Sequence, residues 1–405
     1  MIAQFTIENF RSFKEKSTFS LVATSDKELL ESNTFEGKKN RFLKSAVIYG
    51  ANASGKSNFF NALAFFNFFS INSFLQSQMG ITHTQTTPFL FSKQTESAPS
   101  SFEMIFYIKN QKEETRYRYN FTVDGEKVFE ENLCAIYNKR EVMLFSRKFQ
   151  EIACSSYFKE GTKIKPFTRK NCLFLSLCKQ FNGTISTEII EYFSKIDVRS
   201  ALYEVDTNSP MKKNKKAILS FLKCADLQIV DIKEELQLNT AKIKFGHTVY
   251  DQENPIKELI YMDKYDESAG TQRLYLYSER ILNALDDGTV LFIDEFDATL
   301  HPLIIEHVIK LFNSQETNPK NAQLIISSHA VNIMTNKLFR RDQIWFCEKD
   351  MYGATDLYSL VEYKEPPVRS DATFNKNYLR GKYGAVPYLD DFIFRFNSNS
   401  NNENE

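Results

Sequence analysis

The sequence predicts an α/β protein built on parallel strands, and three stretches carry that expectation. Ala46-Val47-Ile48-Tyr49 is a short apolar run that passes straight into Gly50-Ala51-Asn52-Ala53-Ser54-Gly55-Lys56-Ser57 and then into a long helical segment. Val290-Leu291-Phe292-Ile293 is a second apolar run, ending in Asp294-Glu295, and 323–328 is a third, ending at His329. Short uninterrupted apolar runs suit strands buried on both faces, the habit of parallel sheets covered by helices.

With 405 residues, 42% hydrophobic and 25% charged, the chain has an ordinary globular composition, sized for one large α/β domain with an inserted lobe or for two domains. Lys plus Arg and Asp plus Glu are equal at 51 each, which excludes a chain that is basic throughout. Contact with DNA or RNA would need a local patch. The start Met1-Ile2-Ala3-Gln4-Phe5 has no basic stretch leading into a long apolar run, so the expected location is the cytoplasm. The six cysteines form no CxxC pair and have no histidine at zinc-ligand spacing, which suits reduced, buried thiols.

In chain order, 2–7 and 18–22 alternate as half-buried strands do. From Ser57 to Ser92 there is no Lys, Arg, Asp or Glu, and the stretch includes Phe59, Phe60, Phe65, Phe66, Phe68, Phe69 and Phe74. Asn58, Asn61, Asn67 and Asn72 make it too polar for a membrane span. Two readings stand: a helix buried on most of its circumference, or a helix with one face against another subunit. Runs at 102–108, 117–123, 128–137 and 142–146, separated by turn signals such as Asp124-Gly125, predict an antiparallel meander. Helices are expected at 187–196 and 215–224, and strands at 227–232 and 241–245. The polar tail 397–405 is expected to be disordered.

The loop follows the pattern G-x-x-x-x-G-K-S between a buried strand and a helix, the setting that makes it a phosphate cradle. Its glycines let successive N–H groups turn inward, and the helix start adds its positive dipole end. The expected nucleotide contacts are Gly50, Asn52, Ser54, Gly55, Lys56, Ser57 and Asn58. Lys56 would reach the β- and γ-phosphates of ATP and the Ser57 hydroxyl would ligate Mg²⁺. A P-loop also needs a carboxylate for the metal. Asp294, at the end of its strand, is placed for that, and Glu295 is placed to accept a proton from the attacking water.

Further motifs carry a family resemblance. Glu267-Ser268-Ala269-Gly270-Thr271-Gln272-Arg273 resembles the signature of ABC-type ATPases, Phe296-Asp297-Ala298-Thr299-Leu300-His301-Pro302 their D-loop, and Ser327-Ser328-His329 their switch histidine. Asn9-Phe10-Arg11-Ser12-Phe13, Asp342-Gln343-Ile344-Trp345-Phe346 and Tyr378-Leu379-Arg380-Gly381-Lys382-Tyr383-Gly384-Ala385 resemble the SMC/RecF-like ATPases of the abortive-infection group, the AbiLi/RloA type. The implied fold is a P-loop ABC-type ATPase head, a mixed β-sheet with flanking helices, carrying an inserted compact β-rich and helical lobe. In such a head Ser268, Gly270 and either Thr271 or Gln272 form a second anion site for the ATP of another copy. His329 is then catalytic, although a helix-cap role is also open, and Asp297 marks the D-loop. A glutamine beside the metal is implied as well; Gln180 is the first candidate and Gln85 the second. His301 suits a structural role beside Pro302, and Arg11 suits either a nucleotide contact or an ordinary surface position.

The expected organisation is 1–180 for the N-terminal part of the head, 181–257 for the inserted lobe, 258–395 for the rest of the head, and 396–405 for the tail. The step from Gly55 to Ser268 is too short for a long SMC coiled coil. The cluster Lys212-Lys213-Asn214-Lys215-Lys216 suits a solvated loop or a nucleic-acid or partner patch. The residues after His329 lack room for a Toprim-type nuclease domain. The resemblance therefore implies an anti-phage ATPase, paired as a homodimer or higher homo-oligomer. It would control a separate effector, a nuclease, with DNA or a phage component as trigger. The alternative is a RecF-like repair ATPase that clamps DNA itself.

Overall fold

A computed structural model describes residues 1–387 except 81–85, 110–113, 138–139, 200–214, 224–227, 238–239, 252–253, 364–367 and 370. The chain starts with the hairpin β1 (Ile2–Glu8) and β2 (Ser17–Ser20), then α1 (Leu30–Asn33), β3 (Thr34–Glu36) and β4 (Arg41–Leu43). β5 (Ser45–Tyr49) leads through the glycine loop into α2 (Lys56–Gln78). The expected meander follows as β6 (Ser100–Lys109), β7 (Glu114–Val123), β8 (Val128–Tyr137), β9 (Arg140–Lys148) and β10 (Glu151–Cys154). Next come α3 (Phe174–Gln180), α4 (Thr184–Ser194), β11 (Asp197–Arg199) and α5 (Lys215–Leu222). β12 (Ile229–Gln237), β13 (Thr240–Asp251) and β14 (Asn254–Asp263) form a separate antiparallel sheet. The last third holds α6 (Ala269–Asp287), β15 (Val290–Ile293), α7 (Pro302–Asn313), β16 (Gln323–Ser327), β17 (Ile344–Lys349), β18 (Thr355–Ser359) and α8 (Phe374–Leu379).

Two sheets make the body. One is antiparallel, in the order β10-β9-β8-β7-β6-β1-β2; the other is mixed, in the order β11-β15-β16-β5-β17-β18, with only β18 running against its neighbour. Side chains of a strand alternate between faces, and here the alternation assigns each face its cover. Ala46 and Ile48 of β5 join the core shared with α2 and the antiparallel sheet, whereas Val47 and Tyr49 join the core under α6, α7 and α8.

This layering explains α2. It lies between the two sheets, so Phe59, Phe60, Phe65, Phe66 and Phe69 are all buried although no single apolar stripe defines the helix. Phe66 meets Phe5, Phe121 and Phe193 from three different elements. The buried-helix reading holds for these residues; Phe68 is the exposed exception. Among the described residues no helix is long and apolar enough to cross a membrane.

Two expectations about organisation change. β11 pairs in parallel with β15, so α4 and β11 belong to the body and 181 is not a lobe boundary. The β12–β14 sheet extends to Asp263, past 257, because β14 pairs with β13 along most of its length. Lys215 opens α5 and is paired with Asp231, so that end of the basic cluster is helical; 212–214 and the 396–405 tail lie outside the described residues. Cys134, Cys154, Cys172, Cys178 and Cys347 are free thiols, while Cys224 lies outside the described residues.

A buried carboxylate ties the meander to α3. Glu131 on β8 accepts the N–H groups of Phe174 (2.6 Å) and Leu175 (2.9 Å) and the Tyr119 hydroxyl (2.9 Å), with the Arg147 guanidinium 3.6 Å away. Two free N–H groups of a helix start, a hydroxyl and a cation together satisfy a charge that burial would otherwise penalise heavily.

Candidate functional site

β15, β16 and β5 lie side by side, all parallel, with Phe292 opposite Ile325 and Ile325 opposite Ala46. Their C-terminal ends therefore fall at one level, and the segments leaving them gather there: the 50–57 loop, Asp294-Glu295 and Ser328-His329. At a strand spacing of about 4.8 Å, β5 and β15 are roughly 10 Å apart, with His329 leaving from the strand between. An open α/β sheet binds its ligands outside the carboxyl ends of its strands.

The loop is shaped by its two glycines. Gly50 (φ +156°) and Gly55 (φ +112°) take backbone conformations that other residues rarely adopt. A Cβ on Gly50 would strike the Cys347 carbonyl of β17, and one on Gly55 would strike the Thr355 side chain of β18. Lys56 is buried and its Nζ donates to the carbonyls of Gly50 (2.8 Å) and Ala51 (3.0 Å). Burial lowers its pKa below the usual lysine range, while the nearby Cys347, Asp294, Glu295 and Asp297 oppose that shift.

Across the sheet, one hydroxyl organises the acids. Ser327 Oγ donates to Asp294 Oδ1 and accepts the Glu295 N–H at 2.7 Å. Glu295 is exposed and sits at φ +50°, a left-handed conformation that costs a non-glycine residue roughly 1–3 kcal/mol and tends to mark functional sites. Asp297 Oδ2 accepts the His329 N–H at 2.7 Å. Burial, and next the Lys56 charge, hold the His329 pKa below its ordinary 6.5, so the ring is neutral near pH 7.

Two atoms bear on whether a metal-bound nucleotide fits. Asp294 Oδ2 and Ser54 Oγ are buried without a hydrogen-bond partner among the described residues. A buried lone carboxylate oxygen calls for a cation or a donor. The donor set of Asp294 with a nearby serine hydroxyl is the hard-oxygen type that Mg²⁺ prefers. The glycine cradle, Lys56 and this orphan oxygen fit a nucleotide phosphate chain with its metal.

The cleft beside the loop has a volume of 930 Å³ and is walled by loop residues Gly50 to Ser54, by Ser328 and His329, by β17, and by the segment around Tyr378 to Pro387. No residue of the 267–273 stretch lines it. Ser268 instead caps α6, accepting the Thr271 N–H at 3.1 Å. Thr271 is buried with its hydroxyl on Ser268, which leaves it no free face for a nucleotide in this arrangement. Gln272 folds back to the Glu267 and Tyr265 carbonyls. Gly270 packs against the Thr299 carbonyl, where an added Cβ would lie 3.0 Å away.

Three more expectations are sorted by position. Gln180 is exposed at the end of α3, whose Ser176 bonds Ile71 and Phe74 of α2. Those positions are about four turns, or roughly 20–25 Å, from the loop, so Gln180 is not brought to Asp294; Gln85 lies outside the described residues. Asn58 points away from a ligand role, donating to Ser12 Oγ at 2.7 Å. His301 caps α7, its Nδ1 accepting the Leu303 N–H at 3.2 Å.

The sequence reading missed Thr355. Its Oγ1 lies 2.8 Å from both the Ser54 carbonyl and Ser12 Oγ. A carbonyl only accepts, so the one Thr355 proton goes to Ser54, Ser12 donates to Thr355, and Asn58 donates to Ser12. The result is a one-way chain from α2 through the N-terminal hairpin and β18 to the loop. No local pattern marks a threonine that acts over such a separation.

The 45–153 and 200–335 segments, more than half of the chain, match the family described as "AAA domain, putative AbiEii toxin, Type IV TA system". The chain belongs to that family. The matched segments of this AAA domain include the loop, Ser268, Asp294, Glu295 and His329, whereas Ser12, Thr355 and Arg380 fall outside them. A crystal structure of an SMC head bound to the C-winged helix domain of ScpA is similar at 13% identity and a TM-score of 0.43, covering 90% of this chain and 98% of that one. An SMC head domain from Thermotoga maritima is similar at 14% identity and a TM-score of 0.39, covering 91% and 99%. No curated protein matches the chain.

Proposed function

We propose that this AAA domain binds ATP with Mg²⁺ at the 50–57 loop and hydrolyses it. The observation that carries the reading is the convergence of Lys56, the partnerless Asp294 Oδ2 and the strained Glu295 at the ends of neighbouring parallel strands. The loop N–H groups and Lys56 bind the phosphates. Ser57 and Asp294 would hold Mg²⁺, which neutralises phosphate charge when bound. Glu295, exposed at the end of β15, accepts the proton of the attacking water. His329, neutral and anchored through Asp297, is free to hydrogen-bond the terminal phosphate.

Ser268 and Gly270 do not line the cleft of their own loop, which supports head-to-tail pairing of two copies around the nucleotide. We further read the assembly as the ATP-dependent sensor of an abortive-infection system that controls a separate effector, a nuclease. Membership of a family whose description names a toxin of a toxin–antitoxin type supports the defence setting. The test is Glu295→Gln in the full chain with ATP and Mg²⁺. Turnover should fall about 10²–10⁴-fold, as for loss of a general base, while light scattering shows an ATP-dependent dimer. A monomer with unchanged turnover would sink the reading. Tight, salt-sensitive binding of duplex DNA by the ATP-bound protein would replace the sensor role with a DNA clamp.

A further inference from the structure

One wall of the cleft is built from the end of α8 and the segment that follows it. After α8 the chain turns back through Gly381 (φ +73°), Gly384 (φ +70°) and Ala385 (φ +56°). This turn is fastened at two points. The Tyr358 hydroxyl on β18 donates to the Tyr383 carbonyl at 2.7 Å, and the Tyr378 hydroxyl donates to the Ala385 carbonyl at 2.9 Å. The Tyr358 oxygen also lies 2.9 Å from Glu348 Oε2, and a Cβ on Gly384 would press on that same carboxylate. The turn is thus a fixed wall, and the exposed Arg380, which caps α8 just before it, lines the cleft.

The charge balance of the cleft is one-sided. Its lining contains two cations, Lys349 and Arg380, and the neutral His329, but a single acid, Glu348, which is already engaged by Tyr358 and the turn. Among the described residues the Arg380 side chain has no ion pair or hydrogen bond, and it shares the lining of the cleft with Gly50 to Ser54 and His329. These are the loop residues and the strand end that flank the terminal phosphate if the loop holds a nucleotide. A guanidinium offers a planar fork of donors to phosphate oxygens and stays charged at any working pH.

We propose that Arg380 is a second phosphate-binding cation of this site, supplied in cis by the fastened turn and reserved for the terminal phosphate of a nucleoside triphosphate. The inference rests on the nucleotide reading above. It makes the C-terminal segment part of the ligand site and gives the protein a means to tell triphosphate from diphosphate before any partner binds.

The experiment measures ATP and ADP affinity by calorimetry, in the full chain with Mg²⁺, for the native protein, Arg380→Ala, Arg380→Lys and Lys56→Ala. Arg380→Ala should weaken ATP about tenfold to a hundredfold, the worth of a charge-assisted bond, and leave ADP within about twofold. Arg380→Lys should recover part of the loss. Unchanged ATP affinity in Arg380→Ala overturns the proposal, and so does an equal loss for ATP and ADP. Thermal unfolding of each variant separates a misfolded wall from a missing contact: equal melting with ATP-selective loss supports the assignment, and equal melting with no selectivity rejects it. If the native chain binds neither nucleotide, and Lys56→Ala is indistinguishable from it, the nucleotide reading itself has failed and the Arg380 assignment falls with it.

Discussion

Replacing Thr355 by valine removes one hydroxyl and keeps the shape of the side chain. Thr355 is 5% exposed, so its partners lose contact with no water to replace it. Ser54 loses the donor to its carbonyl, and Ser12 loses the acceptor for its own proton. A buried group left unsatisfied costs about 1–3 kcal/mol. The Ser12 hydroxyl can rotate toward another acceptor, so the Ser54 carbonyl dominates, and about 2 kcal/mol is the working figure. Ser54 belongs to the cradle, so that cost falls on the loop conformation that receives phosphate. If the receptive conformation loses 2 kcal/mol against alternatives, affinity falls by up to about thirtyfold. The loss should be equal for ATP and ADP, because both use the cradle, in contrast to the triphosphate-selective loss expected at Arg380. Titration calorimetry of Thr355→Val against Thr355→Ser, which restores the hydroxyl, is the assay. A lower melting temperature with unchanged nucleotide affinity in Thr355→Val would show that the chain of hydroxyls stabilises the fold without shaping the loop.

Two predictions concern the body of the protein. Glu131→Ala leaves Arg147 and the α3 start without their shared partner, and urea unfolding should report a loss of about 3–5 kcal/mol. Burial pushes the Cys347 thiol up to about 12 from an ordinary 9.0. An acid whose pKa is raised by folding adds stability that is full below its unfolded pKa and is lost as pH climbs, so this contribution should fade between about pH 9 and 12. Alkylation at pH 8 should correspondingly leave Cys347 unmodified until the chain unfolds, as read by peptide mass spectrometry; fast modification of the native protein would contradict its burial.

The parts of the site that could be read in the sequence share a property: their chemistry is local. A buried strand, a glycine loop and a helix start are consecutive in 46–57, and Asp294-Glu295 follow their own strand directly. The fold class was legible for the same reason, since apolar runs at 46–49, 290–293 and 323–328 become β5, β15 and β16. The charge-free Phe segment was legible as a helix, and the reason for its all-round burial became clear only from the second sheet packed on it. Where sequence reading fell short, the determining contacts are distant. Ser12 and Thr355 meet across 343 positions, and neither belongs to a pattern that local spacing reveals. Gln180 failed because the packing of α3 on the far half of α2 sets its place, which no motif encodes. The edge of the lobe was misplaced because a three-residue strand, β11, is too short to register as periodicity.

The position of α2 has a mechanical consequence. Its 23 residues span about 34 Å from the loop to its last turn, clamped on both sides by close-packed aromatic rings. Packed interiors resist compression and pass strain along. The first turn, next to the loop, therefore has close-packed rings rather than open space on either side. At its other end Ser73 holds the Leu173 N–H and Ser77 takes a bond from Arg169, just before α3. One rod thus joins the glycine loop at its first turn to the segment that opens α3 at its last.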